Sequence, residues 1–146
     1  MREILFRGKT SKGEWIYGFY MNKGVKDIIV DTTRGSLGFG LEVDGETVGQ
    51  YTGLNDKNGN KIFEGDIVKV VYIENRQYQG VVYSDEHTWV EEIIYSEENA
   101  CYMLKLMCDD IPMYRPLHNF ENLARIKDVE VIGNIYDNKN LLEEKL

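Results

Sequence analysis

The chain has 146 residues, 42% of them hydrophobic, which suits a single domain spanning 1–146 with a real core and excludes global disorder. No apolar run approaches the ~18 residues that cross a bilayer as a helix, and MREILFRGKT, charged at Arg2 and Glu3, does not read as a signal peptide, so a cytoplasmic, non-membrane protein is expected. The net charge of −8 falls wholly in residues 84–146, with 14 acids and 6 bases against 11 of each in residues 1–83; such a surface repels phosphate backbones and disfavours general nucleic-acid binding.

Glycine is uneven too, with 12 of 14 in the first 65 residues, and that half reads as short strands broken by turns. EILFRGK (3–9) and EWIYGFYM (14–21) are predicted strands around TSKG, where Gly13 can take the positive φ of a tight turn. KDIIVD (26–31) predicts a third strand. TTRGSLGFG (32–40) predicts a surface loop with Arg34 as a candidate anion grip, but without the spacing of a phosphate loop. LEVDGETVGQY (41–51) resumes strand character. DIVKVVYIE (66–74) and YQGVVYSD (78–85) predict a hairpin joined through NRQ. TWVEEIIYS (88–96) predicts a strand with Trp89, Glu91, Ile93 and Tyr95 on one face. CYMLKLMC (101–108) predicts another, and Pro112 and Pro116 bracket MYR in a predicted loop. LHNFENLARIK (117–127) predicts a turn or two of helix with Asn119 as N-cap and Phe120, Leu123 and Ile126 inward. DVEVIGNIYDN (128–138) predicts a last strand, and NLLEEKL (140–146) a frayed helix. Many short strands without alternating helices predict an all-β protein: partly open, barrel-like antiparallel sheets with one or two short helices near the C-terminus.

The stretch VGQYTGLNDKNGNKIFEGDIV (48–68) is the most site-like part of the chain. Asn58-Gly59 predicts a type I′ hairpin turn, since both residues tolerate positive φ. A calcium loop is the competing reading, but aligning Gly59 with the loop's invariant glycine puts Leu54 and Gly65 where the first and last carboxylate ligands belong. Glu64 and Asp66 form a candidate acid pair, either catalytic or merely solvated. With Tyr51 and Thr52 they are candidate binding residues. Trp15 and Tyr17, among Arg2, Arg7, Lys9, Lys12, Lys23 and Lys26, are candidates for aromatic stacking beside anion contacts; the simpler expectation turns both rings inward. Cys101, Cys108, His87 and His118 lack metal-ligand spacing, and seven residues along a strand point the two cysteines to opposite faces. No metal or cofactor is expected, and the cysteines are expected to be free thiols.

FRGK (6–9), GEWIYG (13–18), ETVGQYTGLNDKNGNKIFEGDIV (46–68) and VIGNIYDN (131–138) resemble, in this order, the YopX family of phage and prophage proteins. The resemblance implies a compact, mostly β fold and a phage or prophage origin in a bacterial host. It implies no activity and assigns no role to any residue. GDIVKVVYIENRQYQGVVYSD also resembles the opening hairpin of small SH3-like barrels, which often serve as interaction modules. The first functional expectation is a non-enzymatic accessory protein that binds protein or self-associates, for instance as a homo-oligomer. The second is an acidic decoy for a basic, nucleic-acid-binding host protein. The third is a small enzyme using Glu64 or Asp66.

Overall fold

The computed structural model describes residues 3–31, 40–117 and 126–143. Two antiparallel sheets account for nearly all of them, and the one helical element among them is a 3-10 turn at Lys139–Leu142. The all-β expectation holds. Of the expected helices, the C-terminal one shrinks to that turn. Residues 118–125 of the other lie outside the described residues, and Ile126, expected on the helix, begins a strand. The predicted loop at 32–40 lies outside them as well, save Gly40. The chain forms two compact units, residues 1–53 and 54–146.

The first unit holds β1 (Phe6–Lys9), β2 (Trp15–Asn22), β3 (Asp27–Val30) and most of β4 (Gly40–Asn55). β1 pairs with β2, β2 with β3 and β3 with β4, and β1 pairs with β4 as well, so the four strands close on themselves. Ile16, Ile29 and Val43 are buried inside the closure, with Phe6, Tyr20 and Val48 packed against them. Gly8 sits where a Cβ would lie 2.9 Å from Val43 Cγ2, so β1 can cross this small core only as glycine. Strand alternation sets the faces of β2: Ile16 points in and Tyr17 points out. The expectation that Trp15 and Tyr17 share an inward face is thereby corrected: both lie on the face opposite Ile16, with Trp15 half-buried and Tyr17 exposed.

The second unit is built on the sheet β10-β6-β7-β8-β9, namely β6 (Asp66–Tyr78), β7 (Val81–Ser96), β8 (Cys101–Cys108), β9 (Ile111–Pro116) and β10 (Ile126–Asn134). β5 (Lys61–Phe63) precedes it. Val68 and Val70 of β6, Ile93, Leu104 and Val129 lie on one face of the sheet and are covered together with Ile62 and Leu117. Two sequence expectations fail here for one reason. The segments NRQ and MYR are strand, not loop, because the reversals sit at Gln79-Gly80 and Asp109-Asp110, whose four φ angles are all positive. The closing pairs are Tyr78 with Val81 and Cys108 with Ile111, so both are two-residue turns of the kind expected at Asn58-Gly59. VVYSD, the part of YQGVVYSD beyond that turn, consequently merges with TWVEEIIYS into the single strand β7, and Tyr78 ends β6.

Candidate functional site

The loop at the centre of the 48–68 stretch is organised by one carboxylate. Asp56 is buried, and its Oδ1 accepts the backbone N–H groups of Asn58 (2.9 Å) and Asn60 (2.8 Å). Its Oδ2 accepts from the Asn60 side chain (3.1 Å) and from Val131 N on β10 (3.0 Å). Burial alone would raise its pKa, but these four donors outweigh it and hold the carboxyl below its ordinary value. Lys57 N donates to the Val129 carbonyl, and its ammonium lies 2.8 Å from Glu130 and 3.5 Å from Asp128. Gly59 N donates to the Asp56 carbonyl and only Gly59 of the central pair has positive φ, 84°. The type I′ expectation is corrected: Asn58 is not left-handed, and the turn is a longer one that glycine completes. The loop ties the return into β5 to β10, with the carboxylate already filled by N–H donors.

The other candidates are distributed along the chain. Trp15 lies under the Arg7 guanidinium, 4.8 Å from its centroid, with the Lys9 ammonium at 5.8 Å. Tyr51 and Thr52 are buried in β4. These, with Tyr17, belong to the first unit, whereas Glu64 and Asp66 belong to the second. Asp66 is 1% exposed and accepts Phe63 N at 2.7 Å, which closes the bend made by Gly65. Glu64 is half-buried in that bend. The two acids therefore do not share a strand face; a turn separates their surroundings. Cys101 and Cys108 are unbonded at opposite ends of β8. Among the described residues no three His, Cys, Asp or Glu side chains group as metal ligands.

A feature that sequence reasoning missed lies where the sheet of the second unit forks. Among the described residues the pairing of β10 with β6 runs out to Tyr72, and β8 leaves β7 at Glu92. Beyond those rungs, among the described residues, β6–β7 and β8–β9 continue as separate two-stranded hairpins. Every residue from Glu74 to His87 is exposed, on both faces. Tyr78 (67%), Val81 (52%), Val82 (63%) and Tyr83 (52%) crowd the end of the first hairpin, and Met107, Ile111, Met113 and Tyr114 are exposed on the second.

At the base of the fork a cleft of about 370 Å³ is lined by Tyr72, Ile73, Glu74, Arg76, His87, Trp89 and Arg115. Beneath it Glu91 is fully buried, with Oε1 accepting from Tyr72 Oη (2.8 Å) and Arg115 Nη2 (2.7 Å). The Arg115 guanidinium also lies 4.4 Å from the Tyr72 ring centroid. Burial drives the Glu91 pKa up, and the Tyr72 hydroxyl and Arg115 only partly offset it. Burial, then the Glu91 charge, raises the Tyr72 hydroxyl as well. The sequence did carry a signal for this network. Strand alternation puts Glu91 on the face of Ile93, and an acid on a core face needs a cation. Arg115 was invisible because its segment read as loop.

Several acids of this unit are paired with bases: Glu92 with Lys105 (3.1 Å), Glu86 with Lys127 (2.5 Å), and Arg76 with Glu74 (2.8 Å) and Asp85 (4.0 Å). Among the described residues no helix is long and apolar enough to cross a membrane.

Fold and site together define an all-β protein of antiparallel sheets, with a latched loop at 56–60 and a forked sheet in the second unit. The chain belongs to the YopX protein family, whose sequence model matches residues 4–143. No curated protein matches it.

Proposed function

We propose that this YopX-family chain is a non-enzymatic phage or prophage accessory protein of the bacterial cytoplasm that binds protein, its own copies included, through the fork. The observation that carries this reading is the β6–β7 arm: a two-stranded hairpin, exposed on both faces, ending in Tyr78, Val81, Val82 and Tyr83. An isolated two-stranded hairpin is marginal in water. Contiguous exposed apolar side chains, aromatics above all, are what an interface core requires. The segment 77–84 carries no charged residue in a chain of net charge −8, so the tip presents a neutral surface. The ion pairs of Glu74, Asp85, Glu86 and Glu92 weigh against the decoy alternative on this sheet, because a mimic of nucleic acid needs rows of uncompensated carboxylates. Asp66, committed to Phe63 N, gives the enzymatic alternative no comparable support.

The test is affinity capture of the intact chain from phage-infected cells. It is run beside a variant in which 75–84 is replaced by a short glycine-serine turn. Recovery of a defined protein, or of untagged copies of the chain, with wild type and not with the variant supports the reading. Equal recovery by both, or bait alone in both, contradicts it.

A further inference from the structure

We propose that two copies of this chain associate by crossing their β6–β7 arms face to face and antiparallel. The two-fold axis is perpendicular to the strands and passes between the rungs Glu74–Asp85 and Arg76–Tyr83. This rests on the self-associating form of the reading above and names its geometry.

The argument begins with the face. Paired residues of an antiparallel ladder point to the same side, and alternate rungs share it. From the core outward, one side of the arm therefore presents Val70 with Trp89, Tyr72 with His87, Glu74 with Asp85, Arg76 with Tyr83, and Tyr78 with Val81. The inner end of this row is covered, since Val70 is fully buried. The middle lines the cleft, through Tyr72, Glu74, Arg76, His87 and Trp89. The outer end, Tyr78 and Val81, is exposed. An aromatic cleft and an apolar tip thus occupy the same strip, three rungs apart on one strand face, or about 20 Å.

A two-fold axis across this strip makes cleft and tip reciprocal partners. Charge selects where it lies. With the axis on the Arg76 rung, the two Arg76 side chains would face each other. On the Glu74 rung, Glu74 and Asp85 would meet their own copies. Nearer the core, Arg76 would lie over buried Val70. Between the Glu74 and Arg76 rungs, Arg76 of each copy faces Glu74 of the other, and Asp85 faces the other Tyr83 hydroxyl. In the same register Tyr78 and Val81 of each arm enter the cleft of Tyr72, His87 and Trp89 on the other. Arg76 already bridges Glu74 and Asp85 within its own chain, so its charge is oriented for this contact at little entropic cost. The interface is isologous and closes on itself, so it yields a dimer and not a filament. Glu91 beneath the cleft and Arg115 in its lining keep Tyr72, whose hydroxyl donates to Glu91, in place.

Sedimentation velocity of the full chain at micromolar to submillimolar concentration tests this, with far-UV circular dichroism verifying the fold of each variant. Wild type is expected to be dimeric. Arg76→Glu alone, and the double variant Glu74→Arg/Asp85→Arg alone, are each expected to be monomeric, because like charges then face each other twice per dimer. Mixing the two in equal amounts restores opposite charges at both contacts and is expected to restore the dimer. Tyr78→Ser, a change at an exposed position, is expected to weaken association by about tenfold or more. A dimer that survives both charge variants, or a mixture that stays monomeric, overturns the crossing geometry while self-association by another surface stands. A monomeric wild type overturns self-association itself and leaves the broader reading to the capture experiment.

Discussion

Two reversals of this chain, the loop at 56–60 and the tip of the arm at Gln79-Gly80, look alike in sequence and are opposite in structure. Each is a short polar stretch with a glycine between strands. The first is latched: buried Asp56 takes four N–H donors, one of them from β10 seventy-five residues away. The second has no third strand beside it among the described residues, and exposed apolar side chains flank it. The difference separates architecture from interaction. A reversal that fixes the fold spends its polar groups on its own chain. A reversal that meets a partner keeps its apolar groups outward.

Breaking the network under the fork is expected to have the largest effect. Arg115→Ala leaves the Glu91 carboxylate buried without its cation, and a loss of about 3 kcal/mol is expected in denaturant titration. Asp56→Ala comes next, at about 2 kcal/mol, because Val131 N and the loop amides lose their acceptor. pH sharpens the contrast between these two carboxylates. Asp56 has a depressed folded pKa, so its stabilisation is present above its unfolded value, about 4, and is lost as pH falls through the folded pKa. Glu91 has a raised folded pKa, so its ionisation costs stability once pH exceeds the unfolded value, and acidification relieves that cost. Stability measured against pH for Asp56→Asn should therefore converge on wild type in acid, and the curve for Glu91→Gln should move apart from it in the opposite sense. Gly59→Ala is expected to cost about 1 kcal/mol, from forcing a Cβ into φ of 84°. Tyr78→Ser closes the series, with less than about 0.5 kcal/mol in the monomer's unfolding. If Tyr78→Ser destabilises the chain as much as Asp56→Ala does, the contrast between the two reversals fails.

Much of the fold was legible because it is local. Alternation in CYMLKLMC, DIIV and WIYGFYM gives strands directly, and Gly13 and Gly24 mark breaks between strands, whereas Gly45, Gly49 and Gly53 run on within β4. Turn chemistry was the weak point. Asn58-Gly59 is a strong signal for a type I′ turn, yet Asp56 competes for the same amides and wins, because its other oxygen reaches β10. Gln79-Gly80 and Asp109-Asp110 are weak signals that the ladders on either side impose. The candidate pair Glu64 and Asp66 was visible as two acids, but the bend at Gly65 between them was needed to see that they act apart. The fork was not legible at all. Where β8 leaves β7 depends on long-range pairing, and nothing in VVYSDEHTW marks the departure.

Hydrogen exchange on the intact chain, read segment by segment at low and at high protein concentration, tests the central claim most directly. The account predicts that amides of Glu74–His87 gain protection as concentration rises, while those of the loop at 56–60 are protected equally at both. Protection of the arm that does not change with concentration, with or without the same result at the loop, would contradict it.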